Sequence, residues 1–231
     1  YSSAASDVYK SQGFYELIMG YESFSSENIS NAAIELTKYE VKYDGSYYSI
    51  PYPNGDVPDG IGVCTDVIIR TYRLLGLDLQ KEIHEDMKNN FDLYPKIWGL
   101  KKPDKNIDHR RVPNQMTYFK RQGSSLTITN DSKNYLPGDI VAWDLGGGTT
   151  HIGIVVNKKS SNSENYMIVH NIGAGQNIDD EKREFDELIS NWEDTTKKVI
   201  NELSKRKKNL LSDKSPNSLI ALGAMEVHLN I

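Results

Sequence analysis

A single cysteine among 231 residues rules out an internal disulfide, so Cys64 is either inert packing or a working thiol. The chain must then be held together by its core. At 231 residues and 38% hydrophobic content it is large enough for one domain, or one domain with a helical appendage. Excess positive charge is lacking: the acidic balance, a net charge of -5, argues against nucleic acid, because phosphate contacts call for a basic face. Lys205-Arg206-Lys207-Lys208 is the local exception and reads as the solvated end of a charged helix. No apolar run is long enough to cross a bilayer. The five histidines form no His-Glu-x-x-His pattern, since His84-Glu85 has no second histidine at helical spacing. No metal and no cofactor are expected.

The apolar pattern gives helices first and strands afterward. Residues 1–25 are rich in Ser and Tyr and point to no clear element. A helix is predicted from Ser26, with Ser26 as cap and Ile29, Ala33 and Leu36 on one face. Val41 to Tyr48 is β-prone. Pro51, Pro53, Gly55, Pro58, Gly60 and Gly62 then crowd a loop of defined shape. Val63, Val67, Thr71 and Leu74, flanked by Ile68, Tyr72 and Leu75, predict a central buried helix stopped by Gly76. Further helices are expected over 79–91 and from Pro113 to Gly123. Residues 126–129, 139–143, 151–156 and 166–170 read as four strands with short polar connections, as in an antiparallel meander. A long amphipathic helix is predicted from Asp180 to about Leu210. The expected organisation is α+β: a segment 1–25, a domain 26–179 with the central helix packed on the sheet, and a helical extension 180–231.

Chemistry gathers at three positions. Cys64 falls in the first turn of the central helix, where unpaired amides and the helix dipole concentrate positive potential. A free thiol titrates near pH ~8.5, and a helix N-terminus with an imidazolium nearby lowers that value, giving the nucleophilic thiolate. His151 opens a strand just after Gly146-Gly147-Gly148-Thr149-Thr150, which suits a base held on a rigid element with space before it. His170 ends the next strand, and a hairpin of the two would set it beside His151, where a polar partner fixes ring orientation and tautomer. Cys64 as nucleophile, His151 as base and His170 as orienting group make a consistent thiol hydrolase site. The developing oxyanion needs donors, for which the Cys64 amide and the hydroxyls of Tyr52 and Tyr43 are candidates. Asp66 is positioned either to hold a substrate amine or to meet the helix dipole. Arg110 and Arg111, in the cluster Asp108 to Arg111, are suited to gripping a substrate carboxylate or to tying the loop to the body.

Several runs together resemble a bacterial family of unknown function numbered 1287. They are Tyr52-Pro53-Asn54-Gly55-Asp56-Val57-Pro58, Gly62-Val63-Cys64-Thr65-Asp66-Val67, His84-Glu85-Asp86-Met87, Asn106 to Asn114, Pro137-Gly138-Asp139-Ile140-Val141, His151-Ile152-Gly153-Ile154-Val155 and Val169-His170-Asn171-Ile172-Gly173. The resemblance covers about residues 30 to 176. The family looks like a branch of the NlpC-type cell-wall cysteine peptidases, which implies a papain-like fold with Cys64, His151 and His170 as the Cys–His–polar triad. Pro51-Tyr52 matches the Pro-Tyr pair that precedes the nucleophile in those enzymes, whereas Val63-Cys64-Thr65-Asp66 departs from their Asp-Cys-Ser-Gly motif. The resemblance further implies a peptidoglycan or peptide substrate and a periplasmic or extracellular location. A monomer is expected, and the start at Tyr1 reads as a leader removed or as a trimmed chain, the former being the expectation. Two other readings are open at this stage. One is a wall-binding module that retains a peptidase fold without catalysis; the other is an acyltransferase using the same triad.

Overall fold

The computed structural model describes residues 7–10, 25–122, 125–129 and 131–180, all within the compact unit Tyr1–Lys182. The long helix expected from Asp180 lies outside the described residues, apart from Asp180 itself.

Strand β1 (Asp7–Lys10) comes first among the described residues. Helix α1 (Ser26–Leu36) is capped by Ser25, one residue ahead of the serine expected, whose hydroxyl accepts the Asn28 N–H. Two-residue strands β2 (Lys42–Tyr43) and β3 (Ile61–Gly62) pair in parallel and frame the Pro- and Gly-rich loop between them. Helix α2 (Cys64–Leu74) is the predicted central helix, buried from Cys64 through Ile69 and again at Thr71 and Tyr72. Its start is tied by Asp66, whose carboxylate accepts the Val63 N–H at 2.7 Å. Its end is a Schellman turn: Gly76 at φ +91 sends its N–H to Arg73 O, and Leu77 N–H reaches back to Tyr72 O. Helix α3 (Leu79–Asn90) is capped by Asp78, and α4 (Val112–Arg121) carries Pro113 in its first turn.

Strands β4 (Ser125–Leu126), β5 (Asp139–Gly146), β6 (Thr149–Lys159), β7 (Tyr166–Ile172) and β8 (Gly175–Asp179) complete the described chain. With β1 they form one antiparallel sheet in the order β4-β1-β5-β6-β7-β8. The expected meander therefore holds from β5 to β7, and β8, not expected from the sequence, extends it. Strand β4 does not pair with β5, because β1, from the segment 1–25, lies between them. Helix α2 packs on β6 and β7, and α1 packs on α2 and β6. Ile29, Val67, Ile68, Tyr72, Ile140, Ala142, Ile152, Ile154 and Val169 are central to the shared core. The Asn157 N–H donates to the buried Ser30 hydroxyl and locks α1 to β6. The architecture is α+β, with the Cys64-bearing helix laid on the sheet.

Candidate active site

Local structure brings Cys64 to β6. Strands β2 and β3 align Tyr43 with Gly62, and Asp44 N–H donates to Gly62 O at 2.9 Å. The side-chain amide of Asn171, on β7, donates to that same carbonyl at 3.3 Å. The turn entering α2 is thus held from both sides. Burial pushes the Cys64 thiol up to about 12, a rise opposed by the Ile152 N–H on the sulfur, reinforced by the Asp66 charge, and opposed again by the N–H groups of Thr65 and Cys64. The sulfur therefore lies against the residue that follows His151. It is a neutral thiol at neutral pH, not the preformed thiolate expected from a helix N-terminus. Desolvation of a side chain only 7% exposed outweighs the amides directed at it.

His151 and His170 meet as the hairpin predicts, but diagonally. The pairs Ile154↔Val169 and Val155↔Ile168 set a register in which Gly153, not His151, stands opposite His170. The His170 ring leans across this glycine, and His151 Nε2 and His170 Nδ1 lie 3.0 Å apart with the rings nearly perpendicular. A Cβ at Gly153 would come within 2.6 Å of Ile168 Cγ2, 3.0 Å of Val169 O and 3.3 Å of His170 Cβ. The glycine is what lets the hairpin close here. Trp143, paired with His151 across β5 and β6, stacks on its ring at 27° with centroids 5.7 Å apart. Strand alternation puts Trp143, His151, Gly153 and His170 on one pleat. Ile152 and Ile154, on the other, share the apolar cluster of Cys64, Val67 and Ile68.

The remaining candidates divide. Tyr43 is electrostatically coupled to the thiol: burial raises its phenol first, and the Cys64 and Asp66 charges raise it further against Arg110, so it keeps its proton as a donor. Tyr52 is committed elsewhere, its hydroxyl 2.8 Å from Glu85 Oε1 on α3 and its phenol pushed up to about 12 by burial and that bond. Asp66 and Arg110 are each other's partners. Arg110 Nε and a terminal nitrogen donate to the two Asp66 oxygens at 2.9 Å each, and its other terminal nitrogen donates to Ser46 O. With Val63 N–H also on Asp66, the pair has little capacity for a substrate amine or carboxylate, and its role is to fix the turn before Cys64. Arg111 is half-buried, 3.3 Å from Asp108 Oδ1, with its guanidinium 4.0 Å over the Trp98 ring.

Three residues at this site carry no functional signal in the sequence. Asn171 and Trp143 read as ordinary strand residues until the fold places them. Asp179, on β8, lies with Oδ2 3.3 Å from His170 Nε2. Its one clue is the Asn177–Asp179 alternation in a segment too short and polar to announce a strand.

Known proteins place the chain by descent. The uncharacterized protein YijF of Escherichia coli (strain K12) is 48% identical over 150 residues, which covers 65% of this chain and 69% of that protein. No solved structure matches. A family model described as a domain of unknown function (DUF1287) matches residues 30–190. That match spans Cys64, His151 and His170 alike, and the chain belongs to the DUF1287 family.

Proposed function

We propose that the chain is a thiol-dependent hydrolase of papain-like, NlpC-type ancestry. It cleaves an amide bond in peptidoglycan stem peptides on the periplasmic or extracellular side of the cell. The observation that carries this reading is the 3.0 Å contact between the His151 and His170 rings, on the strand pair that flanks a cysteine at a helix N-terminus. Paired, oriented imidazoles and a thiol are what acyl transfer through sulfur needs, and the Cys64 sulfur meets the strand of His151 at the Ile152 N–H.

Because the resting thiol is neutral, proton removal accompanies attack. His151 takes the Cys64 proton as the sulfur bonds to the amide carbonyl carbon. The Cys64 amide and the Tyr43 hydroxyl then donate to the oxyanion. Collapse of the tetrahedral species breaks the C–N bond, and His151 returns the proton to the departing amine. Water, deprotonated by His151, then cleaves the thioester and regenerates the thiol. Arg111 remains a candidate for a substrate carboxylate.

A second reading, a wall-binding module without catalysis, draws on the burial of Cys64 in the cluster of Ile152 and Ile154. Purified muropeptides incubated with wild type and Cys64→Ala, read by mass spectrometry, separate the two. The hydrolase reading expects cleaved product from wild type alone. Equal product from both proteins eliminates the thiol mechanism. Binding by both with cleavage by neither supports the module.

A further inference from the structure

A histidine pair has a direction that its geometry leaves open. A neutral imidazole carries one N–H, so in the contact between His151 Nε2 and His170 Nδ1 one ring donates and the other accepts. If His170 donates, the His151 proton is driven to Nδ1, and His151 cannot take a proton there. If His151 donates from Nε2, its Nδ1 carries the lone pair. The residue that decides between these lies at the far end of the chain of bonds.

We infer that Asp179 is a positioning residue that sets the tautomers of both histidines, working through His170 to make Nδ1 the basic nitrogen of His151. The inference deepens the hydrolase reading and rests on it for its catalytic consequence. Asp179 and His170 lie diagonally across β7 and β8: His170 is paired with Asn177, and Ile168 with Asp179. A carboxylate only accepts hydrogen bonds, so Oδ2 at 3.3 Å assigns the His170 proton to Nε2. His170 Nδ1 is then an acceptor, and His151 donates to it from Nε2. The remaining Asp179 oxygen is also filled. Asn177 Nδ2 donates to Oδ1 at 3.1 Å, and the Asn177 orientation is itself pinned, because its own oxygen accepts the Ile178 N–H at 2.8 Å. Both ends of the network donate inward, toward Asp179.

That convergence makes the conservative substitution the damaging one. In Asp179→Asn the new carboxamide keeps its oxygen toward the Asn177 amide, which the Ile178 N–H bond holds in that orientation. Its NH2 therefore faces His170 Nε2. His170 must accept there, hold its proton on Nδ1 and donate to His151 Nε2, so both tautomers invert. Asp179→Ala only releases the relay and lets the tautomers mix. A purely structural aspartate predicts the reverse order, with the truncation worse than the near-isostere.

The test is long-range 1H–15N correlation of the imidazole rings in the full chain at pH 8, for wild type and both variants, with Cys64-dependent muropeptide cleavage on the same samples. The expected result is Nε2–H for His151 and His170 in wild type and Nδ1–H for both in Asp179→Asn. Cleavage should fall on the order of 10³-fold in the Asn variant, by analogy with an inverted triad histidine, and less in the Ala variant. An Nδ1–H His151 in wild type overturns the inference even if neither variant folds. So do unchanged tautomers in a folded Asp179→Asn, or a greater loss in Ala than in Asn. Wild-type tautomers as expected, without cleavage by any protein, would sink the hydrolase reading and leave the relay standing.

Discussion

Two buried polar pairs, Asp66–Arg110 and His151–His170, look alike in the sequence as charged or titratable residues near a candidate nucleophile. The structure separates them. Asp66 and Arg110 close on each other with two 2.9 Å bonds, and the remaining Arg110 nitrogen and the Val63 amide complete a self-contained knot. The histidines form a link whose polarity is set by whatever lies at its ends. A saturated buried pair fixes shape, and a pair whose proton direction is set by a neighbour can serve proton transfer. The distinction rests on donor and acceptor capacity, which residue type alone does not reveal.

The largest test of this contrast is Arg110→Ala. Removing one member of the closed pair leaves a buried carboxylate without its cation, and stability should fall by about 3–5 kcal/mol in denaturant titration. A loss under about 1 kcal/mol would show that the knot is not structural. Next in size is Gly153→Ala, which acts on the open pair by crowding. The added methyl meets Ile168 and the Val169 carbonyl, so stability should drop by about 1–3 kcal/mol, and His170 must shift away from His151. The check is that the His151 and His170 imidazole resonances move while those of His84 and His109 stay.

The smallest effect is full at neutral pH and fades in acid. His109, beside the closed pair, is lowered to about 3 by burial, then by the Arg110 and Arg73 charges, and stays neutral in the fold. Its contribution is present in full above the ordinary histidine range near pH ~6.5 and is lost as pH falls from there toward 3, because the unfolded chain takes up the proton first. Asp108, raised to about 6 by burial, works in the opposite sense, since the folded state binds its proton first as pH drops from about 6 toward 4. Denaturation midpoints of wild type and His109→Gln, followed from pH 7 to 4, should therefore converge as pH falls. Parallel curves would show that His109 takes a proton freely in the fold.

Local physics made much of this legible. The period of α2, its glycine stop, and strands β5 to β7 all follow from near-neighbour patterns, and the two histidines on adjacent strands follow from the hairpin. The unread parts are long-range. Strand β1 has four residues in a Ser- and Tyr-rich stretch and finds its place only by pairing with strands more than a hundred residues on. Asp66 and Arg110 are separated by 44 residues, so no spacing rule joins them. The diagonal meeting of His151 and His170 depends on a register that the sequence leaves free by one step either way. Cys64 is the instructive miss. Helix position argues for an acidic thiol, yet desolvation by packing, invisible in one dimension, reverses the sign.

Strand β1 has a practical side. It sits inside the sheet, with β4 on one flank and β5 on the other, although it is the first element among the described residues. A shortened protein beginning at α1 would bare two hydrogen-bonding edges at once, one of them the long, buried β5. Such open seams recruit strands from neighbouring molecules, so trimming the amino terminus invites precipitation or swapped dimers before any chemistry can be assayed.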